Sequence, residues 1–325
     1  MLGQWYLDNL VCPRCRSSFI QTDDSGLICL AGRHQYPVIE GIPVLSMQRR
    51  DLLIDHYYKS VIEKYGNPAE TVESCRGNGI EPYVNAVISG TCGNLYKHLE
   101  GRLTEYPIPR LNLAQGHGKD FLDIGCNWGR WSIAAARLGY NVIGIDPSLG
   151  ALIAARRISR KLGYDVKYIV AEGESLPFAG ARFDLVFSCE VMLHLSRENT
   201  KSCLREIYRV LKSSGFSLIQ MPNKFGIRNI FQQLRRGLRE PVGDEVRYWS
   251  PSELKKEFGK AIGKTSVRAD CYFGLGIYKS DLRLMPLRYK AIIILSEFMR
   301  AASKLFPPVT NIADSLYLES IKVIR

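Results

Sequence analysis

The chain has 325 residues, of which 46% are apolar and 23% charged, the mixture of a folded globular protein and not of a disordered or fibrous one. Its net charge is +12, and all of it lies late: residues 1–200 carry 21 basic and 21 acidic side chains, residues 201–325 carry 23 and 11. No apolar run reaches the roughly 18 residues of a membrane span, since even Ala291–Leu295 sits between Lys290 and Glu297. The N-terminus lacks the basic start and long apolar stretch of a secretory signal. Nine cysteines without such a signal point to reduced thiols in a cytoplasmic setting, with metal binding favoured over disulfides.

The first 50 residues hold Cys12-Pro13-Arg14-Cys15, then Cys29, then His34. A CxxC turn sets two thiolates on one side of a tight knuckle, and a second knuckle completes a tetrahedral site for a structural Zn²⁺. So short a segment needs such a staple, because it buries little apolar surface alone. Tyr36 to Leu45 then reads as strand, turn, strand. From Leu10 to Leu45 the segment resembles the Trm112-like zinc ribbon family, whose members end in a similar YPV–x–x–GIPVL phrase. Gly32 stands near the place of that family's fourth cysteine, so His34 is the expected substitute. A Cys-Cys-Cys-His ribbon also precedes the catalytic domain in a family of ribosomal-RNA guanine methyltransferases.

From Asp120 onward, strands and helices alternate. Strands are expected at Phe121–Gly125, Asn141–Ile145, Val166–Val170, Phe183–Ser188 and Phe216–Met221. Helices are expected at Arg130–Leu138, Gly150–Leu162 (Arg156, Arg157, Arg160 and Lys161 on its wet face) and Asn199–Leu211. That alternation predicts an α/β, doubly wound parallel sheet, whose ligands bind beyond the carboxyl ends of the strands. Gly125 and Gly129 flank a turn where a ligand must approach backbone. Asp146 ends the next strand, where a carboxylate can take both hydroxyls of a ribose. The turn is G-x-N-x-G, with Ser132 where a third glycine would stand in a dinucleotide fingerprint. The acidic turn Ala171–Phe178 suits the exocyclic amine of adenine.

In these phrases, Asp123–Gly129, Gly144–Ser148, Glu172–Phe178, Phe183–Ser188 and Leu204–Phe216, the chain resembles the class I S-adenosylmethionine-dependent methyltransferases, of the broad group that includes the ubiquinone-type enzymes. The resemblance covers about Asp120 to Asn223 and implies a seven-stranded, Rossmann-like sheet. It also implies that Asp123, Gly125 and Gly129 line the methionine end of the cofactor. Asp146 would hold the ribose, and Glu172 with Gly173 would face adenine. Cys126, Asn127, Pro147 and Glu190 complete the expected cofactor-binding set. The fourth strand opens into Glu190-Val191-Met192-Leu193-His194-Leu195, similar to the Glu-Val-x-Glu-His signature of certain metal-assisted O-methyltransferases. Leu193 replaces their second glutamate, so Glu190 and His194 make a poor metal site. His194 is the candidate general base, its ordinary pKa lying near neutrality, with a structural role as the alternative.

Residues 225–238 place Ile227, Ile230, Phe231, Leu234 and Leu238 on one helical face, with Arg228, Arg235 and Arg239 opposite, Arg236 near the edge and Lys224 just before. The core resumes with a helix at Ser250–Ala261 and a strand at Thr265–Phe273. An amphipathic helical insertion follows at about Asp281–Phe306, then a last, antiparallel strand at Ser315–Ile324. The organisation expected is a ribbon at 1–50, a helical lid or linker at 51–118 and a methyltransferase domain at 119–325, with insertions at about 224–249 and 281–310. The insertions, with helices at Val72–Tyr106, would roof the acceptor pocket. The late arginines fit a phosphate-bearing or lipid-linked small acceptor, an anionic membrane met by residues 225–239, RNA phosphates, or a solvated face over a packed stripe. RNA is disfavoured by the ribbon, whose 50 residues carry five basic and four acidic side chains. The reading is a methyltransferase for a small or amphiphilic acceptor such as a glycan, a lipid-linked sugar or a quinone-like metabolite. The alternatives are an RNA-base methyltransferase and a cofactor-binding scaffold.

Overall fold

Short, turn-rich sequence at the N-terminus produces short strands. In the computed structural model, which describes residues 2–22, 26–47, 79–243, 245–274, 276 and 278–324, helix α1 (Gln4–Asn9) precedes four strands. These are β1 (Phe19–Gln21), β2 (Gly26–Cys29), β3 (Gln35–Ile39) and β4 (Ile42–Pro43), paired antiparallel in chain order. The β3–β4 hairpin is the strand–turn–strand expected at Tyr36–Leu45. It turns at Glu40-Gly41, both with positive φ (48° and 73°), a conformation glycine adopts without steric cost.

The second lobe begins with α2 (Pro82–Cys92) and a 3₁₀ turn at Asn94–Leu99. Then follow β5 (Asp120–Ile124), α3 (Arg130–Ala136), β6 (Asn141–Asp146), α4 (Leu149–Lys161), β7 (Lys167–Val170), β8 (Phe183–Ser188), α5 (Arg197–Val210) and β9 (Leu211–Pro222). After them come α6 (Ile227–Arg235), α7 (Pro251–Ala261), β10 (Gly263–Cys271), α8 (Leu287–Leu305) and β11 (Ser315–Lys322). The seven strands lie in the order β10-β11-β9-β8-β5-β6-β7. β5 to β9 run parallel, and β11 runs antiparallel to both β9 and β10, as expected for the last strand. One apolar core lies on each face. Leu204 and Ile207 of α5 and Phe258 of α7 fill one; Val84 of α2, Ile133 of α3 and Leu152 of α4 fill the other. Ser148, Ser196 and Ser250 accept backbone N–H groups at the starts of α4, α5 and α7, which fixes where those helices begin.

The N-terminal lobe is welded to this sheet. Val44 bridges Val170 in parallel and Leu45 N–H donates to the Val170 carbonyl at 2.8 Å, so the chain leaving β4 runs along edge strand β7. Leu10, Phe19, Leu27 and Tyr36 share one core with Leu176 and Phe178. Arg156 and Arg157, expected on a wet face, are half-buried against Glu40 (3.2 and 3.7 Å), because the hairpin turn covers that part of α4.

The first of the two late insertions inverts the usual burial. α6 turns its polar side inward: Asn229 is buried and donates to the Asn223 and Asp314 carbonyls, and Arg228 reaches the Gly274 carbonyl. Its apolar stripe faces out, with Phe231 60% and Leu234 59% exposed, and Leu238, just past the helix end, is 70% exposed. The packed-stripe reading therefore does not hold. The reason lies beneath the helix. The buried Asp314 carboxylate takes the N–H groups of Arg228 and Asn229 (2.7 and 3.1 Å) and so pins the polar first turn inward. α8 buries Ile293, Ser296 and Ser303 on one side while Phe298 (70%) and Leu305 (78%) face outward on the other. Of the helices expected from Val72 to Tyr106, residues 72–78 lie outside the described residues, as does the whole segment 48–78.

Candidate functional site

At the carboxyl ends of the parallel strands a cleft is lined by Gly125, Asn127, Trp128, Glu190 and Tyr278, among others. The turn after β5 forms its floor. Gly125 and Gly129 both have positive φ (73° and 81°). A methyl group on either would collide with protein, Val191 at the first and the Tyr168 hydroxyl at the second, so close packing alone already requires both glycines. Asp146 ends β6 buried, accepting from Asn127 N–H at 3.0 Å and Ser148 N–H at 2.8 Å, and burial pushes its carboxyl up to about 6. It thus fastens the β5 turn to the next helix start. Asp123 is buried beneath the turn, where Ser132, the residue in the third glycine's place, donates to it at 2.7 Å. Burial drives Asp123 up to about 7.

Glu190 sits on the opposite wall in a left-handed conformation, φ 59°, unusual for a residue with a side chain. Its N–H donates to Gln220, and burial pushes its carboxyl up to about 7 even with the Arg130 charge nearby. Cys126 and Asn127 line the cleft with it. His194 stands apart: it ends the 3₁₀ turn Met192–His194 on the surface, outside the cleft lining, and its carbonyl accepts from Arg247. Pro147 follows Asp146 toward α4 and is also absent from the lining.

Glu172 lies two residues beyond β7, and its carboxylate is already engaged by the chain leaving the N-terminal lobe. The Ser46 hydroxyl donates to one oxygen and Met47 N–H to the other at 3.0 Å. The next residue, Gly173, packs beneath Cys203 and Ile124. The loop after it is gripped by the same lobe: Ser175 donates to the Pro13 carbonyl at 3.1 Å, and Arg16 pairs with Glu206 at 2.9 Å. The turn after β7 is therefore shaped by the N-terminal lobe, which sequence spacing alone does not reveal.

Sequence reasoning also missed the buried group that joins the lid to the cleft. Arg130, the first residue of α3, pairs with Asp281 at 2.5 Å, donates to Tyr96 at 2.9 Å and to the Pro107 carbonyl at 2.7 Å. Its guanidinium lies 5.4–5.8 Å from the ring centres of Tyr96, Trp131 and Tyr278. One sign was available. A cation in a helix's first turn opposes the helix dipole, so Arg130 needed a partner elsewhere.

The four expected metal ligands do converge. The ligand atoms of Cys12, Cys15, Cys29 and His34 all lie within 4.8 Å of one another. Cys15 and Cys29 sulfurs are 3.6 Å apart, and His34 Nδ1 is 3.4 Å from both Cys12 and Cys29. Thiolates about 2.3 Å from a tetrahedral Zn²⁺ stand roughly 3.8 Å apart, so the donor set fits that ion. The Tyr36 hydroxyl lies 3.3 Å from the Cys12 sulfur, where it can donate to a thiolate and hold it in place. A side chain at Gly32 would overlap the His34 ring, so a cysteine there and a histidine at 34 compete for one corner.

Residues 121–215 match the family described as "Methyltransferase domain". The chain is 29% identical over 165 residues to the ubiquinone biosynthesis O-methyltransferase of Azorhizobium caulinodans, covering 48% of this chain and 63% of that protein. It is 33% identical over 146 residues to the protein of the same name from Ruegeria sp., covering 42% and 57%. The matches thus span about three fifths of these curated relatives. The solved YcgJ protein from Bacillus subtilis aligns over 65% of this chain and 94% of its own, with 21% identity and a TM-score of 0.42. The glycine turn, the buried Asp146 and the parallel strands β6 to β8 all lie in the stretch, residues 121–215, that this chain shares with the methyltransferase domain family.

Proposed function

We propose that this chain transfers the methyl group of S-adenosylmethionine to a small, amphiphilic acceptor of quinone-like or lipid-linked type, and that Cys12, Cys15, Cys29 and His34 hold a structural Zn²⁺. The observation that carries the first part is the cleft, with the β5 turn on one side, Glu190 on the other and aromatic walls from Trp128, Trp131 and Tyr278. The bound cofactor supplies an electrophilic methyl group, and the protein has only to align the acceptor and remove its proton. Gly125, Cys126 and Asn127 bound the methionine end, Asp146 takes the ribose hydroxyls, and Asp123 supports the turn from below. The aromatic walls suit a planar ring. Glu190 faces the same space and accepts the acceptor's proton.

Transfer of tritiated methyl groups into small-molecule, lipid, RNA and protein fractions tests this reading. Label is expected in the small-molecule or lipid fraction; label confined to RNA or protein overturns it. Because burial holds Glu190 near 7, its ionised fraction grows between pH 6 and 8, and the rate is expected to rise over that interval. Glu190→Gln flattens that rise and lowers kcat by about 100-fold or more. For the metal, Gly32→Ala displaces His34 and is expected to speed zinc release to a chelator, measured against the wild-type chain with a colorimetric indicator. Equal release rates would remove His34 from the ligand set.

A further inference from the structure

Two helices in this chain leave large apolar side chains exposed, and they belong to neighbouring insertions. α6 follows the carboxyl end of β9 and α8 follows that of β10, so both emerge at the edge of the sheet where the cleft opens. They are joined at their bases: Asn223, just before α6, donates to the carbonyls of Asn311 and Ala313, just after α8. The insertion bearing α8 also supplies Tyr278 to the cleft and Asp281 to Arg130. Phe231, Leu234 and Leu238 in the first insertion and Phe298 and Leu305 in the second are therefore exposed on connections that leave the cleft end of the sheet. Solvent does not favour so many outward aromatic and aliphatic side chains on two elements.

Charge selects the occupant. Residues 224–239 carry five basic side chains and no acid, and residues 281–310 carry five and two. Lys224, Arg235, Arg288 and Lys304 are exposed beside the apolar stripes. Of the two acids in the second insertion, Asp281 is buried against Arg130 and Glu297 is half-buried and paired with Arg300 at 2.5 Å. A second copy of this chain would bring like charges together, whereas an anionic bilayer satisfies the stripes and the cations at once. Among the described residues no helix is long and apolar enough to cross a membrane, so such contact lies in the interfacial plane.

We propose that α6 and α8 together dock this chain on an anionic lipid bilayer, so that the acceptor enters the cleft from the membrane surface. The proposal rests on the methyl-transfer reading for its purpose but not for its test. The full chain is floated with vesicles of phosphatidylcholine alone or mixed with phosphatidylglycerol, at low and high salt. It is expected to rise with the mixed vesicles, less so as salt increases. Phe231→Ser with Leu234→Ser, and separately Phe298→Ser with Leu305→Ser, are expected to weaken partitioning by about tenfold or more. These positions are exposed, so cofactor affinity, measured calorimetrically on the same samples, stays at the wild-type value. A chain that binds cofactor but ignores both kinds of vesicle overturns the bilayer proposal alone. A chain that floats but neither binds cofactor nor transfers methyl groups overturns the methyl-transfer reading alone. A wild-type dimer in sedimentation that the serine variants dissociate assigns the face to a second copy and also overturns the bilayer.

Discussion

Replacing Asp146 with alanine is expected to lower the affinity for S-adenosylmethionine by about 100-fold or more, read by calorimetric titration at pH 7.5. A charged acceptor of two ribose hydroxyls contributes roughly 1.5–3 kcal/mol per hydrogen bond, and every 1.4 kcal/mol is about tenfold in affinity. The same carboxylate holds the backbone of Asn127 and Ser148, so its loss also loosens the floor of the cleft. Burial raises Asp146 to about 6, which gives two pH effects of definite sign. Cofactor affinity falls as pH drops through 6, because the ionised form is the one that accepts both hydroxyls. Stability of the ligand-free chain changes the other way. A carboxyl whose folded pKa lies above its unfolded value contributes stability that is full below about 4 and is lost as pH rises through about 6. Asp146→Asn is expected to weaken the cofactor too, because its amide nitrogen would face one of the two backbone N–H groups that the carboxylate now accepts. Wild-type affinity in Asp146→Ala would remove this residue from the site.

The second large effect is expected at Arg130. It and Asp281 are almost wholly buried, and the pair ties the start of α3 to the second insertion. Arg130→Ala leaves the Asp281 carboxylate, the Tyr96 hydroxyl and the Pro107 carbonyl without their shared donor. Breaking a buried pair on one side costs about 3–5 kcal/mol, which urea denaturation resolves easily. Removing both charges is milder, since no lone buried ion remains. Arg130→Met with Asp281→Asn is expected to recover most of the loss. A double variant no more stable than Arg130→Ala would show that the hydrogen bonds to Tyr96 and Pro107, and not the ion pair, carry the cost. The exposed pair Arg239–Glu245 has good geometry at 2.6 Å, yet water screens it, and Arg239→Ala is expected to leave the denaturation midpoint unchanged.

Local patterns in the chain determined the sheet and the position of its turns. Continuous apolar runs bounded by Gly and Asp could only be buried strands. The glycines after β5, the carboxylate after β6 and the strand order follow from spacing that a single βαβ unit enforces. The cysteine spacing likewise brought Cys12, Cys15, Cys29 and His34 together, because both knuckles are local turns. What depended on contacts between distant segments was invisible. Glu172 reads as a carboxylate at a strand end, yet Ser46 and Met47, more than 120 residues earlier, already use both its oxygens. Arg130 reads as a helix residue until Asp281, 151 positions later, folds over it. Periodicity also located the stripe of α6 but not the side it faces. An amphipathic pattern says that two faces differ; which one turns inward is set by what lies beneath. Here buried Asn223 and Asp314 need polar partners, so the polar face goes in and the apolar face is left for another surface. The +12 charge is placed by the same rule, since the insertions that carry much of it are the elements whose large apolar side chains the tertiary structure left exposed.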